Sequence, residues 1–157
     1  MIKMKMIKKV FISAPISGFE DKKEYEEFRE FVLSLIVSLR FAGFEVCSEL
    51  EQISDSGDYD SPTKSVEDDL ANIKSSELFL MIHPKRMQTS SLMELGFACA
   101  VSKTIIIVGN KSNLPYLAKG LESSIVKTRI LDVTQISKDI IPIIIKYVNV
   151  ANNKAWH

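Results

Sequence analysis

Apolar positions along the chain follow two different rhythms. Short apolar-rich runs at 7–14 (IKKVFISA), 44–47 (Phe44–Cys47), 78–82 (LFLMI), 104–108 (TIIIV) and 126–131 (VKTRIL) read as strands. Between them lie stretches with helical spacing. The clearest covers 21–42, where Tyr25, Phe28, Val32, Leu35, Ile36 and Leu39 recur at three and four residues. Its acidic opening, DKKEYEE, suits the positive end of a helix, and Gly43 supplies a stop. Ser61 and Pro62 read as the cap and first residue of a helix over 63–75 with Val66, Leu70 and Ile73 as its buried face. At 100° per residue Asp68 points away from that face, whereas Asp69 lies on its border. Further helices are expected over 91–102, briefly over 114–121, and over 134–149, where Pro142 either kinks the helix or marks its true start.

Turn signals separate these elements. Pro15 and Gly18 close the first strand, and Gly109, Asn110 and Asn113 follow the fourth. Residues 48–62, SELEQISDSGDYDSP, are acidic and turn-rich, with Tyr59 their one aromatic residue and no helix or strand signal. Such a length is either a lid or a mobile surface loop without a role.

Strands alternating with helices predict an α/β fold. The expected form is a doubly wound, five-stranded parallel sheet with flavodoxin-like order 2-1-3-4-5 and helices on both faces. In that order the switch point lies between strands 1 and 3. The loops leaving them, 13–19 and 83–94, should then face each other across one crevice.

Composition narrows the class. The chain has 157 residues, 46% apolar, with 20 basic and 20 acidic side chains, so one domain with a real core is expected over 1–150, followed by a polar tail at 151–157. Balanced charge gives no long-range attraction to nucleic acid. The N-terminal MIKMKMIKK is basic but lacks the apolar region of a signal peptide, and no run approaches a membrane span. Cys47 and Cys99 with His83 and His157 make no recognisable metal motif. A soluble, reduced, cytoplasmic domain without metal or cofactor is the expectation.

The chemistry concentrates at residues 86–97, RMQTSSLMELGF, where one carboxylate, Glu94, sits in an apolar run. With Ser91 as N-cap, Glu94 falls at the third helical position and completes an S-x-x-E capping box. Burial would raise its pKa and the amides of the helix start would lower it. A deprotonated carboxylate there can attack an electron-poor carbon. Ser13, Ser17 and Gly18 form a strand-to-helix turn able to hold a phosphate or a sugar hydroxyl, though no G-x-G-x-x-G or Walker pattern is present. Arg86 can pair with a substrate phosphate or be solvated, and His83 can serve a departing base or make an ordinary turn hydrogen bond.

Three stretches, VFISAPISG, DDLANIKSSELFLMI and TSSLMELGFACAVSKTIIIVG, resemble the nucleoside 2-deoxyribosyltransferase family and its relatives that hydrolyse nucleoside 5′-monophosphates. The resemblance covers about residues 9–109, and its most specific part is Ser91 followed by Glu94-Leu95-Gly96-Phe97-Ala98. It implies cleavage or transfer at an N-glycosidic bond, with Glu94 attacking the anomeric carbon and Asp69 helping to position substrate or the catalytic machinery. It also implies that Ser13, Pro15, Ser17 and Gly18 lie near the sugar and 5′-phosphate and that Ser91 holds the 5′ end. His83 and Arg86 complete the expected substrate contacts, and a homodimer or higher homo-oligomer is implied. Helix 91–102, apolar over much of its circumference, agrees with such a partner. The chain departs from the pattern at Phe11, where the transferases carry a tyrosine that bonds the nucleophile, and at Glu77, where an aspartate is usual. The loop HPKRMQTSS lacks an acid-glycine pair, and SAPISGFEDKK lacks the arginine of the nucleotide hydrolases. VFIS and SSLMELG also resemble TIR-like enzymes that cleave nicotinamide from NAD. A non-catalytic nucleotide-sensing module is the remaining alternative, and Phe11 is its best cue.

Overall fold

The computed structural model describes residues 6–53 and 61–153. Five parallel strands, β1 (Lys9–Ser13), β2 (Glu45–Cys47), β3 (Leu78–His83), β4 (Thr104–Gly109) and β5 (Thr128–Asp132), form one sheet in the order β2-β1-β3-β4-β5. Among the described residues six α-helices pack around it: α1 (Lys22–Phe41), α2 (Glu49–Gln52), α3 (Pro62–Ser75), α4 (Ser91–Ala100), α5 (Tyr116–Gly120) and α6 (Ile141–Ala151). No helix among the described residues is long and apolar enough to cross a membrane.

The central strand β3 is buried along its whole length, as its unbroken apolar sequence requires in a sheet covered on both faces. The period of two divides the side chains between two cores. Val10, Ile12, Leu80, Ile82, Ile106 and Val108 pack with α1 and α6. Phe11, Phe79, Met81, Ile105 and Ile107 pack on the other side with Ile73 of α3 and Leu95 and Ala98 of α4. Burying each such side chain contributes about 1.5–3 kcal/mol. Phe11 and Phe79 are register partners, and their rings stack with centroids 5.8 Å apart. Ser13 lies two residues beyond Phe11, so it shares Phe11's face and points toward α4.

Several local expectations change. Glu49–Gln52 is helical, within the stretch read as lacking structure. Residues 54–60 of that stretch, including Tyr59, lie outside the described residues, as do 154–157 of the tail. Ser61 does cap α3, accepting the Lys64 amide at 3.3 Å, and Pro62 is its first residue. Val66 is half exposed rather than on the buried face, because α3 reaches the sheet mainly through Ile73. α4 is capped by Ser90, not Ser91: the Ser90 carbonyl accepts the Glu94 amide, so Ser91 is already helical and is buried. Glu94 is therefore the fourth helical residue, and no S-x-x-E box closes. Gly109 ends β4 instead of opening a turn. A Cβ there would lie 2.4 Å from the carbonyl oxygen of His83 on the paired strand. The expected helical piece at 114–121 is the five-residue α5 followed by a 3₁₀ turn, and β5 runs two residues later at its start than the apolar run suggested. Pro142 marks the true start of α6, where its missing N–H costs nothing.

Candidate active site

The 2-1-3-4-5 order places the carboxyl ends of β1 and β3 beside the switch point, and the two loops meet there as expected. Gly18, at φ +88°, lies against Met87 and Thr89, with an added Cβ 3.0 Å from the Met87 methyl carbon. From β1 the Ser13 hydroxyl donates a short hydrogen bond to Oε2 of Glu94 on α4. The bond joins the first-strand loop to the carboxylate that the chain places at the helix start.

Glu94 shares this corner with two other acids. One carboxylate oxygen from each of Glu49, Asp69 and Glu94 lies within 4.8 Å of the others, and all three side chains are partly buried. α2 brings Glu49, α3 brings Asp69 and α4 brings Glu94, so three elements converge on one point. A bidentate charge pair holds α2 in place: Arg40 of α1 donates to both oxygens of Glu51 at 2.6 and 2.8 Å and to the Val46 carbonyl at 3.1 Å. The adjoining cleft, about 290 Å³, is lined by Phe11, Cys47, Ser48, Gln52, Asp69 and Asn72, among others, with no lysine or arginine in its walls among the described residues.

Crowded acids resist ionisation. Burial pushes the Glu94 carboxyl up to about 7; the Ser13 hydroxyl opposes this, and the charges of Asp69 and Glu49 add to it. Burial, and then the neighbouring charge of Asp68, pushes Asp69 up to about 6. Asp68 itself is exposed and pairs with Lys64 at 2.8 Å, as its outward position predicted. Near neutral pH Glu94 is thus divided between acid and carboxylate, a workable state for a group that must be anionic to attack and is desolvated enough to be reactive. Three oxygens at this spacing also suit a cation of calcium size, whose oxygen ligands sit about 2.3–2.6 Å from the ion.

The other expected residues divide into groups. Ser91 is buried three residues before Glu94 on the same helix face. Pro15 is buried, whereas Ser17 and Gly18 are exposed and line a shallow hollow with Phe19 and Tyr25. His83 is buried in β3 with Nε2 3.3 Å from the Asn113 carbonyl, and burial lowers its pKa. Arg86 is exposed and lines a separate hollow of about 550 Å³ with Gln88, Tyr116 and Lys119, away from the acidic cleft. The structure therefore brings Ser13, Asp69 and Glu94 together, with Ser91 buried one turn earlier on α4, and leaves His83 and Arg86 outside the acidic cleft's walls.

Two residues of the corner escape the sequence reading. Glu49 and Ser48 belong to the stretch read as unstructured. The available signal was Ser48-x-x-Glu51, a capping pattern, although here the Ser48 hydroxyl caps nothing. It is buried in the cleft wall without a hydrogen-bond partner among the described residues.

No family model matches the chain, and no curated protein matches it in sequence. Solved structures do match. The chain is similar to the CMP N-glycosidase BcmB of Clostridium botulinum, with 20% identity over 88% of this chain and 99% of that one and a TM-score of 0.66. It is similar to BlsM, with 20% identity over 95% and 97% of the two chains and a TM-score of 0.70. A conserved protein from Enterococcus faecalis V583 matches at 13% identity over 90% and 99%, with a TM-score of 0.53. What the chain shares with these proteins is a flavodoxin-like, doubly wound fold.

Proposed function

We propose that this chain cleaves, or transfers at, the N-glycosidic bond of a nucleoside or nucleoside 5′-monophosphate, with Glu94 as the nucleophile on the anomeric carbon. The observation that carries the reading is the setting of Glu94. It stands partly buried at the sheet's switch point, bonded by Ser13 and faced by Asp69, with its pKa near neutrality. The shared fold with a CMP N-glycosidase supports the same reaction class. In this reading the Glu94 carboxylate forms a bond to C1′ while the C1′–N bond breaks, and the electron pair leaves with the base. Asp69, in its protonated fraction, supplies the proton that a neutral base needs. Water or a second base then releases the sugar from Glu94, regenerating the carboxylate.

Phe11 does not remove the helper that the nucleophile requires. Its ring is committed to Phe79, and the hydroxyl comes instead from Ser13, two residues further along the same strand. This favours an enzyme over a sensing module. The cleft walls carry no lysine or arginine among the described residues, which also suits a substrate whose base is cationic before cleavage and leaves neutral, as the pyridinium of NAD does. For that reason the second reading, removal of nicotinamide from NAD, belongs in the same test.

The test incubates the purified chain with deoxynucleosides, nucleoside 5′-monophosphates and NAD and follows free base by chromatography. Base release that falls on the order of 10³-fold or more in Glu94→Gln, with the fold retained by circular dichroism, is the expected outcome. Release that survives the substitution overturns the nucleophile, and a clean panel with tight nucleotide binding assigns the chain to sensing.

A further inference from the structure

Accepting Glu94 as the group that meets C1′, we infer that Glu49, with Ser48 beside it, recognises the 2′-hydroxyl of the sugar and makes the chain selective for ribosides over 2′-deoxyribosides. An oxygen of Glu49 lies within 4.8 Å of one of Glu94, and both lie within 4.8 Å of one of Asp69. A sugar whose C1′ stands before Glu94 has the 2′-carbon as its neighbour on the side away from the ring oxygen. Glu49, with an oxygen within 4.8 Å of one of Glu94, is close enough for a hydroxyl on that neighbouring carbon to donate to it.

Two further features point to a hydroxyl rather than to bare hydrocarbon. The Ser48 Oγ is buried in the same cleft without a hydrogen-bond partner among the described residues, a condition that costs free energy until a donor or acceptor arrives. The three carboxylates also crowd one another, with no lysine or arginine in the adjoining walls among the described residues, and a hydroxyl proton between Glu49 and Glu94 relieves part of that crowding. A 2′-deoxy sugar offers neither contact and puts a C–H bond where the hydroxyl would sit. Sites built to bond a hydroxyl reject the analogue lacking it far more strongly than apolar pockets distinguish a methylene. The contact also strengthens as positive charge develops on the sugar ring in the transition state.

The decisive experiment compares matched ribo and 2′-deoxyribo nucleoside 5′-monophosphates by kcat/KM of base release, in the parent and in Glu49→Ala and Glu49→Gln. The parent should prefer the riboside at least ~10²-fold. Glu49→Ala should bring the ratio toward one, and Glu49→Gln, whose amide oxygen still accepts, should fall between. Equal use of both sugars, a preference for the deoxy sugar, or a ratio that Glu49→Ala leaves unchanged overturns the assignment. If no base is released from any of them, the glycosidase reading fails on its own, and calorimetric binding of the same pairs decides the sugar contact. Tighter riboside binding that Glu49→Ala abolishes sustains it, while equal affinity or no binding overturns it.

Discussion

At the scale of single residues, the corner is a contest between desolvation and hydrogen bonding around Glu94. Among the described residues the Ser13 hydroxyl is the group near it that favours the carboxylate over the acid. Ser13→Ala should therefore move the rising limb of the pH–rate profile to higher pH and lower kcat/KM several-fold at pH 6. The effect at pH 9 should be small, because Glu94 is ionised there with or without the bond. Kinetics between pH 5 and 9 check this, and a limb that stays in place would assign Ser13 to the sugar instead. The same shift bears on stability. Folding raises the Glu94 pKa from an ordinary value of 4.5 to about 7, and that of Asp69 from 3.8 to about 6. Between those limits the folded chain holds protons that the unfolded chain has released, so both groups make stability fall as pH rises through the window. Glu94→Gln removes its share. The variant should gain on the parent between pH 5 and 8, by about 2 kcal/mol at the upper end, in urea melts. A difference that stays constant with pH would mean that Glu94 titrates normally.

At the scale of elements, serine capping holds at Ser61, but the S-x-x-E pattern misleads. S-x-x-E occurs at 48–51 and 91–94, and in neither place does the serine hydroxyl cap its helix. Glu51 is taken by Arg40, and Glu94 by Ser13, partners 11 and 81 residues away in sequence. A local motif offers about 1 kcal/mol, and a charge-assisted bond from another element competes with it successfully. The strand pair β3–β4 shows the opposite case, a local requirement with no alternative. Gly109 sits so close to the His83 carbonyl that any side chain collides with backbone of the central ladder. Gly109→Ala should cost ~3 kcal/mol by chemical denaturation. A neutral substitution would show that the two strands can separate there.

At the scale of the whole molecule, apolar side chains remain uncovered on the side of α3, α4 and α5. Met93 is 76% exposed, Tyr116 89% and Leu117 81%. Isolated apolar residues need no explanation, but three large ones on α4 and α5, which share one core on the same side of the sheet, suit self-association. The expected outcome by light scattering at micromolar concentration is a mass of at least twice the 17.7 kDa of the chain. A monomer mass would remove the oligomer from the description of the site.

The sequence by itself determined the sheet and its order. Strand runs, helical periods and the right-handed crossover rule leave few ways to wind five parallel strands, and the switch point followed from that order. It also singled out Glu94, because a carboxylate in an apolar run stands out by composition alone. Only tertiary structure decided its surroundings. That Ser13 bonds it, that Asp69 faces it, and that Glu49 arrives on a four-residue helix held by Arg40 depend on contacts between distant elements. Hydrophobic periodicity shows which face of an element is buried, but not which polar atoms meet where the faces end. Those meetings are set by the few ångströms between elements, a distance that no local pattern encodes.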